Sequence, residues 1–227
     1  LHIHDNDITG SGTYSIDITG DMDETSISII ENNTVSGQVR ISNYAVLDIH
    51  HNLVTSAYGG LEIYDMAGGH FYNNTFTGNG SGTGLYVHEF DIEQAGQGVI
   101  VENNIFSGFD TGINLASVIS SIQFNNISNS TGQDFTGAGL PQVFGAVNVS
   151  NANGDLGDFY ANLFINPEFV LPDSGNFNLQ TISPCIDAGN FDMDGDGINY
   201  QNDEDDQDPD GTAFDIGAFY RSINDTT

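Results

Sequence analysis

One eight-residue phrase returns six times along the chain: apolar, any, any, Asn, any, apolar, Ser or Thr, then a small or turn-forming residue. The copies begin at Ile3, Ile30, Ile49, Phe71, Val101 and Ile122, and their anchors are Asn6, Asn33, Asn52, Asn74, Asn104 and Asn125. These anchors stand 27, 19, 22, 30 and 21 residues apart. Short apolar runs at such a period, without helical spacing, predict an all-β stack to which each copy contributes one coil. The apolar residues three before and two after each Asn are expected to face inward. The Asn is expected at the bend, where it tolerates left-handed backbone. Its amide would then donate to the Asn of the next coil, about 4.8 Å away. Such a ladder satisfies polar groups that are costly to bury alone.

A second, period-two phrase follows most copies, at Tyr14–Ile16, Val39–Ile41, Leu61–Ile63, Leu85–Val87 and Ile113–Leu115. The intervening Gly-, Ser-, Thr- and Asn-rich loops vary in length while the strands do not, as loops protruding from a continuous core would. The outward positions of the second strand fall into two expected columns: Ser15, Arg40, Glu62, Tyr86, Asn114, and beside it Asp17, Ser42, Tyr64, His88, Ala116. The first phrase supplies a third: His4, Glu31, His50, Tyr72, Glu102, Gln123. Columns of this kind make an extended surface suited to a linear polymer. Tyr64 and Tyr86 are the candidates for stacking on sugar rings, and Glu62, His88 and Arg40 are the candidate catalytic groups. Hydrolysis needs two carboxylates at a defined separation, for which Glu62 and Glu89 are available. His2, His4, His50, His51 and His70 show no metal-ligand spacing beyond the adjacent His50-His51 pair, and no role is expected of them.

Over residues 1–130 the repeat resembles the right-handed parallel β-helix of pectate-lyase-like proteins. That resemblance implies a solenoid, a fold that hosts many activities. Lyases and epimerases of this fold use Lys or Arg as base and cations against a uronate, whereas Arg40 is the one Lys or Arg of the repeat. After Ser130 the pattern weakens, with one alternating strand expected over 143–149. Leu163-Phe-Ile-Asn-Pro-Glu-Phe169, Phe177-Asn-Leu179, Ser183-Pro-Cys-Ile-Asp-Ala-Gly189 and Asp215-Ile-Gly-Ala-Phe219 follow. This succession resembles the segment that closes many secreted bacterial β-helix proteins. It implies that residues 131–227 are the last irregular coils and an Asp-rich C-terminal cap of one continuous domain, with apolar residues covering the exposed edge of the stack. Because the chain opens inside a repeat and stacks need covered ends, missing N-terminal coils or head-to-tail self-assembly are expected.

Thirty-two acidic residues face two cations, Arg40 and Arg221, for a net charge of −30. That balance excludes nucleic acid and anionic membranes as partners. It fits a saline, marine or cation-rich medium that screens the repulsion. No apolar run is long enough to span a membrane. The lone Cys185 excludes an internal disulfide framework, and its apolar neighbours point to a buried thiol. Eleven carboxylates crowd between Asp187 and Asp215. Asp192, Asp194 and Asp196 occupy positions one, three and five of an EF-hand-like loop, Gly197 position six and Asp203 position twelve. Asn199 at position eight and Asp at twelve depart from that pattern, and no flanking helices are evident. A bare loop holding structural calcium is therefore expected. The expected function is a secreted or cell-surface module for adhesion, assembly or binding of a polysaccharide or surface glycan. The alternative is a polysaccharide-degrading hydrolase or lyase acting along an outward strand face.

Overall fold

A computed structural model of the protein describes residues 1–21, 26–88, 98–151 and 153–221. Its coils lay strands in three parallel ladders. The first ladder holds β1 (His2–His4), β3 (Ser28–Glu31), β5 (Val46–His50), β8 (Gly68–Tyr72), β11 (Val99–Glu102) and β14 (Ser121–Gln123). The second, after the bend, holds the starts of β2 (Asp7–Thr19) and β4 (Thr34–Ser42), then β6 (Leu53–Thr55), β9 (Thr75–Thr77), β12 (Ile105–Ser107) and β15 (Asn126–Ser128). The third holds the ends of β2 and β4, then β7 (Gly59–Ile63), β10 (Thr83–Val87), β13 (Thr111–Leu115) and β16 (Gln133–Thr136). Because β2 and β4 run through both, the second and third ladders merge into one 10-stranded sheet. This is the expected parallel β-helix.

The inward positions are where the repeat places them. Ile30, Ile49, Phe71, Val101 and Ile122, and Val35, Val54, Phe76, Phe106 and Ile127, are buried in one core, with Ile3 and Ile8 partly buried at its start. Phe76 and Phe106 stack at 5.0 Å between centroids. Each such side chain contributes about 1.5–3 kcal/mol by leaving water.

The Asn ladder forms and is longer than the six copies. Side-chain amides donate from Asn6 to Asn33, and on through Asn52, Asn74, Asn104 and Asn125 to Asn162, at 2.9–3.1 Å. The backbone N–H of each donating Asn bonds the same acceptor oxygen at 3.0 Å. The seventh rung, Asn162, rests on the buried Asp158, whose carboxylate accepts the backbone N–H of Asn162 at 3.0 Å and of Gly145 at 2.9 Å. An acceptor-only group thus ends a chain of donors.

The bend differs from expectation in one respect. The left-handed residue is the one before each ladder Asn: Asp5, Asn32, His51, Asn73, Asn103, Phe124 and Ala161, with φ between 49° and 58°. That residue turns the corner so that the next side chain can point into the coil. Phe124 and Ala161 hold this conformation although it costs an ordinary residue about 1–2 kcal/mol. The stretch 143–149 is likewise not one strand. Val143 is left-handed at φ 61° and lies in a turn, and only β17 (Val149–Ser150) is extended, antiparallel to β18 (Leu156–Gly157).

Covering is divided between two segments. The end of the core is closed by aromatic residues, with Phe135, Phe144, Phe164 and Tyr160 in contact at 5.2–6.4 Å. The segment resembling a cap instead lies along the side wall. Residues Leu163, Phe169, Leu179, Cys185, Ala188 and Ile216 form a second core around Ile105 of β12. Ile105 is apolar in an outward register, and it needs a cover that solvent does not supply. Gly217, at φ 111°, passes so close that a Cβ would stand 2.7 Å from Ile105 and 2.9 Å from the Thr75 hydroxyl. Cys185 is fully buried, as its neighbours implied, and burial pushes its thiol up to about 12.

Candidate functional site

On the third-ladder face the register is Asp17, Arg40, Glu62, Tyr86, Asn114. Asp17 stands where Ser15 was expected, and Thr19, not Asp17, precedes Ser42 in the neighbouring column. Register shifts around Tyr14 cause the slip, and the Ser15 hydroxyl is tied locally, donating to the Ser36 carbonyl at 2.6 Å. Arg40 pairs with Asp17 and lies 4.3 Å over the ring of Tyr14, and the Tyr14 hydroxyl donates to Glu62 at 2.9 Å. His88 stacks on both Tyr64, at 3.5 Å, and Tyr86, at 3.7 Å. Burial, reinforced by Glu62, raises the Tyr64 phenol above its ordinary value. Burial lowers the His88 imidazole, against the opposing pull of Glu62 and Asp65. Its Nε2 is buried without a hydrogen-bond partner among the described residues. The structure therefore brings Arg40, Glu62, Tyr64, Tyr86 and His88 onto one face, with Arg40 taken up by Asp17 and Tyr14, Glu62 by Tyr14, and the two tyrosine rings by His88. Glu89 lies outside the described residues.

The first-ladder face carries what the spacing of histidines did not reveal. The column His4, Glu31, His50, Tyr72, Glu102, Gln123 has the expected register. Beside it run His2, Ile29, Asp48, His70, Ile100 and Ser121. Five of the six histidines thus meet on or beside one face, interleaved with acids. His2 lies 2.6 Å from Glu31 and His70 2.5 Å from Glu102. Tyr72 contacts the rings of His50 at 4.7 Å and His70 at 4.4 Å, and His50 and His51 face each other through their Nδ1 atoms at 3.0 Å. Burial, helped by His50, pushes His51 down to about 4. Glu102 is raised by burial, but hydrogen bonds from His70, Gln123 and Asn190 outweigh this and hold it below the usual range. Aligning the chain on its ladder Asn would also have exposed the second column, four residues before each anchor. Reading histidine against histidine hid it.

In the acidic segment the four expected loop ligands divide into two groups that share Asp194. Asp192 and Asp194 gather with Asp206, and Asp194 and Asp196 with Asp203, the carboxylate oxygens of each trio lying within 4.8 Å of one another. Asp206, 1% exposed, was not foreseen. Its Oδ1 accepts the Met193 N–H at 2.6 Å, and Asp192 Oδ2 accepts the Gly197 N–H at 3.1 Å. The other oxygens, Asp192 Oδ1 and Asp206 Oδ2, are buried without partners among the described residues. Burial raises Asp206, and the hydrogen bond shared with Asp205 pushes Asp203 up to about 6. An all-oxygen donor set with unspent lone pairs suits a hard cation.

A protein-family model described as right handed beta helix region matches residues 1–155. The chain belongs to the right-handed β-helix family. No curated protein and no solved structure matches it. For this right-handed β-helix, family membership accounts for the coils and assigns no chemistry, since the fold carries many. No helix among the described residues is long and apolar enough to cross a membrane.

Proposed function

We propose that this right-handed β-helix is an extracellular or cell-surface module for adhesion, assembly or carbohydrate binding, with structural calcium in its acidic segment. One observation supports this reading above the others. On the strand face where acid–base groups gather, most are engaged with neighbours: Arg40 with Asp17 and Tyr14, Glu62 with Tyr14, and Tyr64 and Tyr86 with the His88 ring. What remains is a row of rings and hydroxyls along the strand face, which suits an extended glycan better than a reacting bond. The fit of calcium rests on the unpartnered oxygens of Asp192 and Asp206. A glycan screen with parallel assays of reducing-sugar release and unsaturated products tests the module. Saturable binding without product is expected, weakened by Tyr64→Ala or Tyr86→Ala. Turnover lost in Glu62→Gln would overturn it.

The competing reading, a polysaccharide hydrolase or lyase on the same face, is favoured by a single feature, His88, whose Nε2 has no partner among the described residues and whose imidazole is shifted by burial toward the neutral form. A neutral imidazole is what a general base requires. Product formation abolished by His88→Gln, with binding retained, would decide for this reading.

A further inference from the structure

A different part of the acidic segment, using none of the carboxylates from Asp192 to Asp203, forms a second cluster. Asp187, Asp208 and Asp215 present carboxylate oxygens within 4.8 Å of one another. Unlike a solvated charge run, this group is interior: Asp208 is 6% exposed and Asp215 2%. The backbone satisfies part of it. Asp215 accepts the Asp187 N–H at 2.8 Å and the Arg221 N–H at 2.6 Å, and Asp208 Oδ1 accepts the Asp210 N–H at 3.1 Å. Asp208 Oδ2, however, is buried with no partner among the described residues. A buried carboxylate oxygen without a donor is costly, and it is the kind of group that a cation completes.

The hydroxyl of Thr212 points the same way. Its Oγ1 lies 2.5 Å from Asp187, 2.7 Å from Asp210 and 3.4 Å from Asp208. A hydroxyl has one proton, so it can donate to only one of these three. The other contacts set lone pair against lone pair, an arrangement that is favourable when the oxygens share a positive ion. The local chain repeats the logic of a cation loop, with alternate carboxylates Asp208 and Asp210 followed by Gly211 at φ 86°.

We infer that Asp187, Asp208, Asp215 and the Thr212 hydroxyl form a second, buried site for a hard divalent cation, calcium-like in its preference for oxygen. Asp208 and Asp215 also line an open cleft of about 550 Å³ together with His51 and Asn73 of the coils. The site is tied to the β-helix directly. The Asp215 carbonyl accepts the Asn73 amide at 3.0 Å, and the Gly217 N–H donates to the Asn103 carbonyl at 2.7 Å. An ion here would fasten the segment to the side wall.

Native mass spectrometry of the chelated protein titrated with calcium tests the inference. Asp208→Asn should carry one calcium fewer than the wild type while keeping the ion of the Asp194 loop. Asp194→Ala with Asp196→Ala should lose the loop ion and keep the buried one. Equal counts in Asp208→Asn and wild type overturn the buried site and leave the loop reading standing. Equal counts in the double variant and wild type sink the loop and leave the buried site intact. Because Asp208→Asn can detach the segment by itself, hydrogen exchange on the wild type supplies a second readout. Calcium should slow exchange at the amides of Asp187, Gly189 and Gly217 by about tenfold or more. Unchanged exchange at these amides under saturating calcium overturns the inference.

Discussion

In the coils, Asn74 and Asn104 are fully buried, and each has its side-chain donors and acceptor filled by its own coil and the two beside it. In the acidic segment, Asp206 and Asp208 are buried almost as deeply, yet each keeps one oxygen that the described residues leave without a partner. The difference lies in chemistry more than in depth. An amide is both donor and acceptor, so a column of identical amides satisfies itself at any length. A carboxylate only accepts, so a cluster of them must take protons or a cation from solution. The ladder satisfies itself, whereas the segment beside it leaves carboxylate oxygens of Asp192, Asp206 and Asp208 without donors among the described residues.

The largest test of this contrast is to break a rung. Asn104→Ala removes the acceptor of two Asn74 donors and the donor that reaches Asn125. With each stranded buried group costing about 1–3 kcal/mol, the loss should be on the order of 4 kcal/mol or more in urea unfolding. A loss below about 1 kcal/mol would mean that the ladder is decorative. Acid should come next. The folded His51 takes a proton only below about 4, whereas the unfolded side chain does so near 6.5. Between these values the unfolded chain binds more protons. The contribution is therefore complete above about 6.5 and lost as pH falls, by as much as about 3 kcal/mol. His51→Asn, which keeps a residue suited to left-handed backbone, should flatten the stability profile in that window, and an unchanged slope would refute the assignment.

Smaller effects separate the segment from the coils. Gly217→Ala places a methyl against Ile105 and Thr75 and forbids the φ of 111°, so the side-wall contact should weaken by about 2 kcal/mol. Limited proteolysis should then cut between Cys185 and Tyr220 while the coils resist, and simultaneous cutting in the coils would show the two regions to be one unit. A chelator should have the same selectivity, lowering the melting temperature of the segment but not of Asn104-dependent coils. Unchanged melting with and without chelator would remove calcium from the account. The smallest effect is expected at the partly exposed Arg40–Asp17 pair. Asp17→Asn should cost about 0.5 kcal/mol, diminishing with salt, by thermal melting.

Legibility followed periodicity. The inward residues, the ladder and the column from His4 to Gln123 could be read because every strand's neighbour is another copy of the same phrase. One in-register match therefore carries to the next coil. Where a local irregularity broke the copy, as at Tyr14, the expected column slipped by two residues. The seventh rung escaped because Asn162 lies 37 residues past Asn125, outside the period, and follows Ala161 in place of a turn-forming residue. Asp206 and Asp208 were hidden among eleven carboxylates that look alike in one dimension.

What the amino-acid order determined by itself was the coil: which residues face in, which amides stack and which side chains share a strand face. Those relations repeat at short range, so local pattern is enough. Only the tertiary structure decided where the C-terminal segment lies, since its contacts join residues with no common period: Asn190 to Glu102, Gly217 to Asn103, and Asp215 to Asn73. Burial then singled out a few acids from the many, because a carboxylate matters chemically when water and donors are withheld from it, and that is a property of packing rather than of sequence.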